Sequence, residues 1–257
     1  TRLAKQVADA GTLASDLDFA LLASEEGPVW LNIFDEVYYA EIPDEPRVFR
    51  ADQWTAPPVT DMIFGNKRSA LPVDAHWESA DSINPYHFMQ ELNKHSVKIV
   101  TDIGNHGVWV KQAANRAVIA DNNFGAMGYA IAAAMGVACA GKRVACVTGD
   151  GAIQMNIQEL ATIAKHDMDI KIFVLNNGGY GMIRCTQDRW LEARHSGCDL
   201  TDLPLVDFER VATAYGIPNR RWETHDDMDF ESIFSVKGPV LVNVTVDSAQ
   251  EIYGGGL

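Results

Sequence analysis

The stretch VTGDGAIQMNIQELATIAKHDMDIKIFVLNNGGYGMIR, residues 147–184, sets an Asp between two glycines and ends on paired asparagines followed by more glycine. Between them lie enough residues for one helix, 156–168, and one strand, IKIFVLNN. The run before the Asp, RVACVTGDG, is again a continuous apolar strand. Strands without polar alternation are buried on both faces, which is the mark of a parallel sheet. In such sheets ligands sit beyond the carboxyl ends of the strands. Asp150 and Asn177, 27 residues apart, each fall at such an end. On neighbouring strands they face one crevice.

Working outward, the same alternation continues on both sides. VKIVTDIG is followed by a helix through HGVWVKQAAN and an Ala/Gly helix over 124–140; more helix follows residue 184, and GPVLVNVTVD closes the chain's last strand. The expected fold is therefore α/β, a doubly wound parallel sheet with helices on both faces, spanning residues 84–257. Residues 12–37 read separately as helix, turn and strand, and GPVWLN at 27–32 echoes GPVLVN at 238–243. The segment between, residues 45–83, is rich in proline and scattered Trp and charge, and reads as an extended connector.

Composition narrows the partners. Thirty-five acidic against 21 basic residues give a net charge of -14, which argues against nucleic acid or an anionic membrane surface. The longest apolar run, YAIAAAMGVACA, is too short and too Ala-rich to span a bilayer. The first residues carry no basic-then-apolar leader, and Cys139, Cys146, Cys185 and Cys198 show no CxxC spacing, so buried free thiols and a reducing, cytoplasmic location are expected.

A carboxylate and an amide oxygen are hard ligands that suit magnesium or calcium. Magnesium keeps few protein ligands and completes its octahedron with phosphate oxygens and water, so two protein side chains imply a phosphorylated ligand. Gly149, Gly151, Gly178, Gly179 and Gly181 allow close backbone approach, and the helix starting near Ala152 offers its N-terminus to an anion. Gly104, Asn105 and His106, at the end of another strand, add neutral donors. The plainer alternative is that Asp-Gly and Asn-Gly are ordinary turn signals. Their joint occurrence around one helix and one strand is the more specific feature.

GDG followed by Asn-Asn at this spacing resembles the cofactor motif of thiamine diphosphate enzymes, and within them the acetolactate synthase and 2-oxo acid decarboxylase group. The likeness runs through GDGAIQMNIQELATIAKHDMDIKIFVLNNGGYGMIR, and residues 84–257 as a whole resemble that group's diphosphate-binding domain. The resemblance implies thiamine diphosphate and Mg2+ as cofactors and leaves flavin open. Asp150, the Asn177 side chain and the Gly179 carbonyl would hold the metal. Asn105 and His106 would face the diphosphate, with Gly149, Gly151, Ala152 and the turn Gly179, Tyr180, Gly181, Met182 around it. Met127, in NNFGAMGYA, would support the thiazolium ring from below; the alternative is a core methionine.

The implied reaction is decarboxylation of a 2-oxo acid, commonly pyruvate, with transfer of the acyl fragment to a second carbonyl acceptor, or simple decarboxylation. A nicotinamide dehydrogenase is disfavoured because no GxGxxG follows a strand. A noncatalytic subunit that only binds the cofactor is a further reading. Members of the group carry three domains and draw a catalytic glutamate from a pyrimidine-binding domain. Residues 1–44 resemble only the tail of that domain, the middle domain has no counterpart, and none of Glu25, Glu26, Glu36 or Glu159 sits in a matching context, so no catalytic residue is assigned. Either a partner chain supplies the rest or internal segments of a longer enzyme are omitted, and the second fits better. A homodimer or homotetramer is expected, since the family's site lies between subunits. Where acetolactate synthases resemble GMVRQWQ, this chain has GMIRCTQ, so Thr186 stands in for a pocket-shaping Trp and leaves room for a larger acceptor such as a keto-sugar. Arg184 and Gln187 reach either the substrate or the surface. His76, His87, His95, His166, His195 and His225 show no ligand spacing and are given no role.

Overall fold

The computed structural model describes residues 3–7, 29–33, 82–121, 124–204, 206–250 and 252. The chain divides into two compact units, Thr1–Met62 and Ile63–Leu257. In the first, β1 (Leu3–Val7) pairs in parallel with β2 (Val29–Ile33), from Leu3 opposite Val29 to Val7 opposite Ile33. The second strand falls on the GPVWLN stretch; the first was not anticipated. The helix expected after residue 12 and the connector expected over 45–83 lie outside the described residues.

The second unit holds a six-stranded, all-parallel sheet in the order β4-β3-β5-β6-β8-β7. Its strands are β3 (Lys98–Thr101), β4 (Val118–Ala120), β5 (Val144–Gly149), β6 (Ile170–Asn176), β7 (Asn219–Trp222) and β8 (Val240–Thr245). Side chains alternate across the sheet as strand geometry requires. Ala145, Val147, Phe173 and Leu175 join one apolar core; Val144, Cys146, Ile172 and Val174 join the other.

The first core is covered by α1 (Pro85–Leu92) through Phe88, Met89 and Leu92, by α2 (Asn105–Ala113) through Trp109 and Val110, and, after β7, by the short helix Phe230–Ser235. The second is covered by α3 (Tyr129–Cys139), where Ala130 and Ala134 let the helix approach the strands closely. After α4 (Asp150–Ile153) come α5 (Glu159–Lys165), α6 (Gly181–Trp190) and α7 (Phe208–Ala214); Leu160 and Ile163 of α5 and Phe208 and Ala212 of α7 complete that face. The helix Phe230–Ser235 is α8. Helices on both faces of a parallel sheet make the doubly wound α/β fold that the sequence implied.

Local sequence explains the starts. Asn84 precedes Pro85, and its side chain accepts the Tyr86 N–H at 2.9 Å; Asp207 and Asp229 do the same for Arg210 and Ser232, each at 2.9 Å. Aromatic packing ties α1 and α8 to the sheet, with Phe88 and Phe173 centroids 5.2 Å apart and Trp222 and Phe230 4.9 Å apart.

Three expectations need correction. The helix expected over 156–168 is the shorter α5 (Glu159–Lys165), preceded by α4 and a 3-10 turn at Gln154–Asn156, and it ends where Asp167 turns to a positive φ of 46°. The helix expected over 124–140 begins only at Tyr129, because Gly125 and Gly128 adopt φ of 61° and 84°. Of the four thiols, Cys146 and Cys198 are buried as expected, but Cys139 is exposed at the end of α3. Among the described residues no helix is long and apolar enough to cross a membrane.

Candidate functional site

After β3 the chain turns to β4 on one side, and β5 returns on the other, so connections diverge at the carboxyl ends of β3 and β5. Crevices form at such switch points. A cavity of about 250 Å³ lies there, walled by the ends of β3, β5 and β6 and by the turn before α3. The twelve residues assigned to metal or cofactor all line it, namely Asn105, His106, Met127, Gly149, Asp150, Gly151, Ala152, Asn177, Gly179, Tyr180, Gly181 and Met182; Gly104 lines it too, and Gly178 does not.

Asp150 and Asn177 leave adjacent strands, since Gly149 pairs with Leu175 in the β5–β6 ladder. Both are buried, and Asp150 Oδ2 accepts the Gly179 N–H at 2.7 Å. Burial pushes the Asp150 carboxyl up to about 6, against the opposing pull of the Gly179 and Gly151 amides. The Gly179 carbonyl accepts the Gly181 N–H at 3.1 Å. Two glycines are sterically required here. A Cβ on Gly151 would come within 2.2 Å of Tyr180 Cε1, and one on Gly181 would lie 2.5 Å from Asn177 Nδ2 and 2.8 Å from Asn105 Nδ2. The carboxamides of Asn105 and Asn177 thus converge on Gly181.

His106 is neutral. Burial, with Lys111 acting in the same direction, pushes its pKa down to about 3. Its Nε2 and the Asn105 Oδ1 are both buried without a hydrogen-bond partner. A buried polar atom left unpaired costs roughly 1–3 kcal/mol, so two side by side in a cavity wall mark a place where a polar ligand belongs.

Residues 102–244 match the family described as "Thiamine pyrophosphate enzyme, C-terminal TPP binding domain". The chain belongs to that family. Its curated relatives include the acetolactate synthase large subunit of Cyanidium caldarium, 33% identical over 178 residues, which cover 66% of this chain and 30% of that protein. Escherichia coli (strain K12) contributes the large subunits of acetolactate synthase isozyme 2, 33% identical over 60% of this chain and 29% of its own length, and isozyme 3, 32% identical over 74% and 36%. The chain spans about a third of the length of these relatives.

The residues present fit the thiamine pyrophosphate group of this family. A carboxylate, two carboxamides, a neutral imidazole and backbone N–H groups at the start of α4 and α6 suit a hard cation and a phosphorylated ligand. None of the described residues lining the cavity is Lys or Arg. Met127 is half-buried on the cavity wall and belongs to neither apolar core.

Other candidates lie elsewhere. Gln187 ties down the 196–198 loop, donating to the Ser196 carbonyl at 2.9 Å and accepting the Ser196 N–H at 3.0 Å and the Cys198 thiol at 3.2 Å. Arg184 donates to the Ser248 carbonyl. The Thr186 hydroxyl donates to the Met182 carbonyl one turn back at 2.9 Å, and Thr186 does not line the cavity. Glu159 is half-buried on α5, and Glu25, Glu26, Glu36 and His76 lie outside the described residues. His225 accepts the Asn84 N–H at 3.3 Å, and His195 sits 2.6 Å from Asp188.

Sequence reasoning missed Asp102, a buried carboxylate directly after β3. Burial raises its pKa against hydrogen bonds from Thr148 and from the Ala130 and Tyr129 amides, and Asp121 raises it further. Its signal was available: Thr-Asp closes KIVT just as a Gly-Asp closes VACVTG. The apolar wall residues Ile103, Trp109, Leu175 and Ile183 were also missed, because nothing in an apolar residue type distinguishes a cavity wall from a core.

Proposed function

We propose that residues 84–257 are the diphosphate- and Mg2+-binding domain of an acetolactate synthase-like carboligase, which decarboxylates a 2-oxo acid, pyruvate first, and transfers the acyl fragment to a second carbonyl. The observation that carries the reading is that Asp150 and Asn177, from adjacent strands, wall one cavity with the unpaired polar atoms of Asn105 and His106. A diphosphate beside the Asp150 carboxylate, with no Lys or Arg among the described lining residues, needs a divalent cation between the two charges.

Asp150, the Asn177 side chain and the Gly179 carbonyl would hold that Mg2+. Asn105 and His106 would hold the diphosphate, with Gly151, Ala152 and the turn Gly179, Tyr180, Gly181, Met182 around it, while Gly149 makes room for the His106 ring. A Cβ on Gly149 would lie 2.7 Å from His106 Nδ1. Thiamine diphosphate, when bound, supplies a nucleophilic carbon and an electron sink for decarboxylation. Met127 would support its ring, and Ile103, Trp109 and Leu175 would keep water out. Thr186, one turn beyond the cavity-lining Met182 and in place of an indole, favours a roomier acceptor pocket outside the cofactor cavity itself.

Residues 1–44 as the tail of a pyrimidine-binding domain, and assembly as a homodimer, a homotetramer or with a partner chain that completes that domain, belong to the same reading. Exposed Phe124 and Met155 support it: Phe124 adjoins Gly125 on the cavity wall, and Met155 adjoins Gly128. A cytoplasmic location rests on the free cysteines. The test is to supply thiamine diphosphate and Mg2+ to the full chain and follow pyruvate loss and product identity. Turnover supports the carboligase, binding without turnover supports a cofactor-binding subunit, and no binding contradicts both.

A further inference from the structure

We propose that Asp102 is a positioning residue of the cofactor site, its single carboxylate joining the three loops that carry Asn105 and His106, Met127, and Gly149 and Asp150. This deepens the thiamine diphosphate reading and rests on it. Asp102 is 1% exposed, its Oδ1 accepts the Ala130 N–H at 2.7 Å, and its Oδ2 accepts the Thr148 hydroxyl at 2.6 Å. Each partner sits a few residues from the cavity wall. Asp102 is three residues before Asn105, Ala130 is three after Met127, and Thr148 is two before Asp150.

The geometry gives the carboxylate two tasks that the backbone leaves undone. The β3–β5 ladder ends with Thr101 opposite Val147, so the next pair in register is Asp102 and Thr148. Their side-chain hydrogen bond adds one rung where the strands part at the switch point, the place where the cavity opens. The N-terminus of α3 is preceded by Gly128, which provides no side-chain cap. Asp102 caps that helix from another strand, and a carboxylate is favoured there by the helix dipole. The first turn of α2 is keyed to the same residue, since a Cβ on Gly107 would come within 2.1 Å of the Asp102 carbonyl.

An Ala at this position accepts neither bond, whereas an Asn keeps both by turning its NH2 to the Thr148 hydroxyl. Asp102→Ala is therefore expected to loosen all three loops together. Thr148→Val breaks only the β3–β5 rung and keeps the carboxylate, while Thr148→Ser restores it.

The experiment compares these three variants with the wild-type full chain. It reads amide hydrogen exchange over residues 103–107, 125–130 and 148–151, with 208–222 as control, and thiamine diphosphate affinity in Mg2+ by titration. Asp102→Ala is expected to raise exchange in the three segments but not in the control, and to weaken the cofactor by about 10- to 100-fold, the range typical of groups that orient ligating residues. Thr148→Val is expected to show a smaller loss confined to 103–107 and 148–151, and Thr148→Ser none. Wild-type cofactor affinity in folded Asp102→Ala, or exchange raised equally in the control segment, overturns the assignment. A wild-type chain that binds no thiamine diphosphate contradicts the function instead, and the exchange pattern still decides whether Asp102 joins the loops.

Discussion

The two ends of the same parallel sheet treat buried polar groups in opposite ways. At the amino end, Lys171 of β6 is 1% exposed, and its Nζ donates to Asp169 Oδ1 at 2.5 Å, to the Val236 carbonyl at 2.8 Å and to the Gly238 carbonyl at 2.6 Å. All three ammonium donors are used within the chain. At the carboxyl end, Asn105 Oδ1 and His106 Nε2 are equally buried and have no partner. At Lys171 the polarity that the chain completes serves stability; at Asn105 and His106 the polarity left open serves a ligand.

The sharpest way to break this contrast is Lys171→Met. Removing the ammonium leaves the buried Val236 and Gly238 carbonyls without their donor, while Asp169 keeps water and Arg143, so a loss of roughly 2–3 kcal/mol is expected in chemical denaturation, with cofactor affinity unchanged in the folded fraction. Asn105→Ala is the converse. Deleting an unpaired carboxamide oxygen is expected to change stability by less than about 1 kcal/mol while weakening thiamine diphosphate strongly. Reversed outcomes at the two ends would undo the comparison.

The lateral edge at β7 provides a milder control. Arg221 bonds both Glu209 oxygens, and Asn243 adds a further donor, so the Glu209 carboxyl is held down to about 2 from its ordinary 4.5. A depressed carboxyl stabilises the fold above the unfolded value, and that contribution disappears as pH falls from about 4.5 through about 2. Because the Arg221 side chain is half exposed, the pair contributes less than about 1 kcal/mol. Glu209→Gln is expected to flatten the stability–pH curve in that window and to lower stability near neutrality by less than about 1 kcal/mol, as urea melts from neutral into the acid range would show.

What the sequence made legible follows from burial. The strands β5, β6 and β8 are continuous apolar runs, and the turns after β5 and β6 carry chemistry-bearing residues between glycines, so both the sheet and the Asp150–Asn177 pairing could be anticipated. β7 is NRRW, an edge strand with Arg220 and Arg221 exposed, and β4 is only three residues long; neither has an apolar pattern to read. The break between α4 and α5 carries no proline or glycine to announce it. Asp102 escaped notice because its partners, Ala130 and Thr148, are 28 and 46 residues away, and no local spacing reports contacts made only by folding.

The most direct test of the central claim is calorimetric titration of thiamine diphosphate into the full chain, with and without Mg2+, for the wild type and Asp150→Ala. Saturable binding that requires Mg2+ and vanishes in Asp150→Ala is the expected result. Binding of equal strength without the metal, or undiminished in Asp150→Ala, would contradict a cation clasped between the ends of β5 and β6.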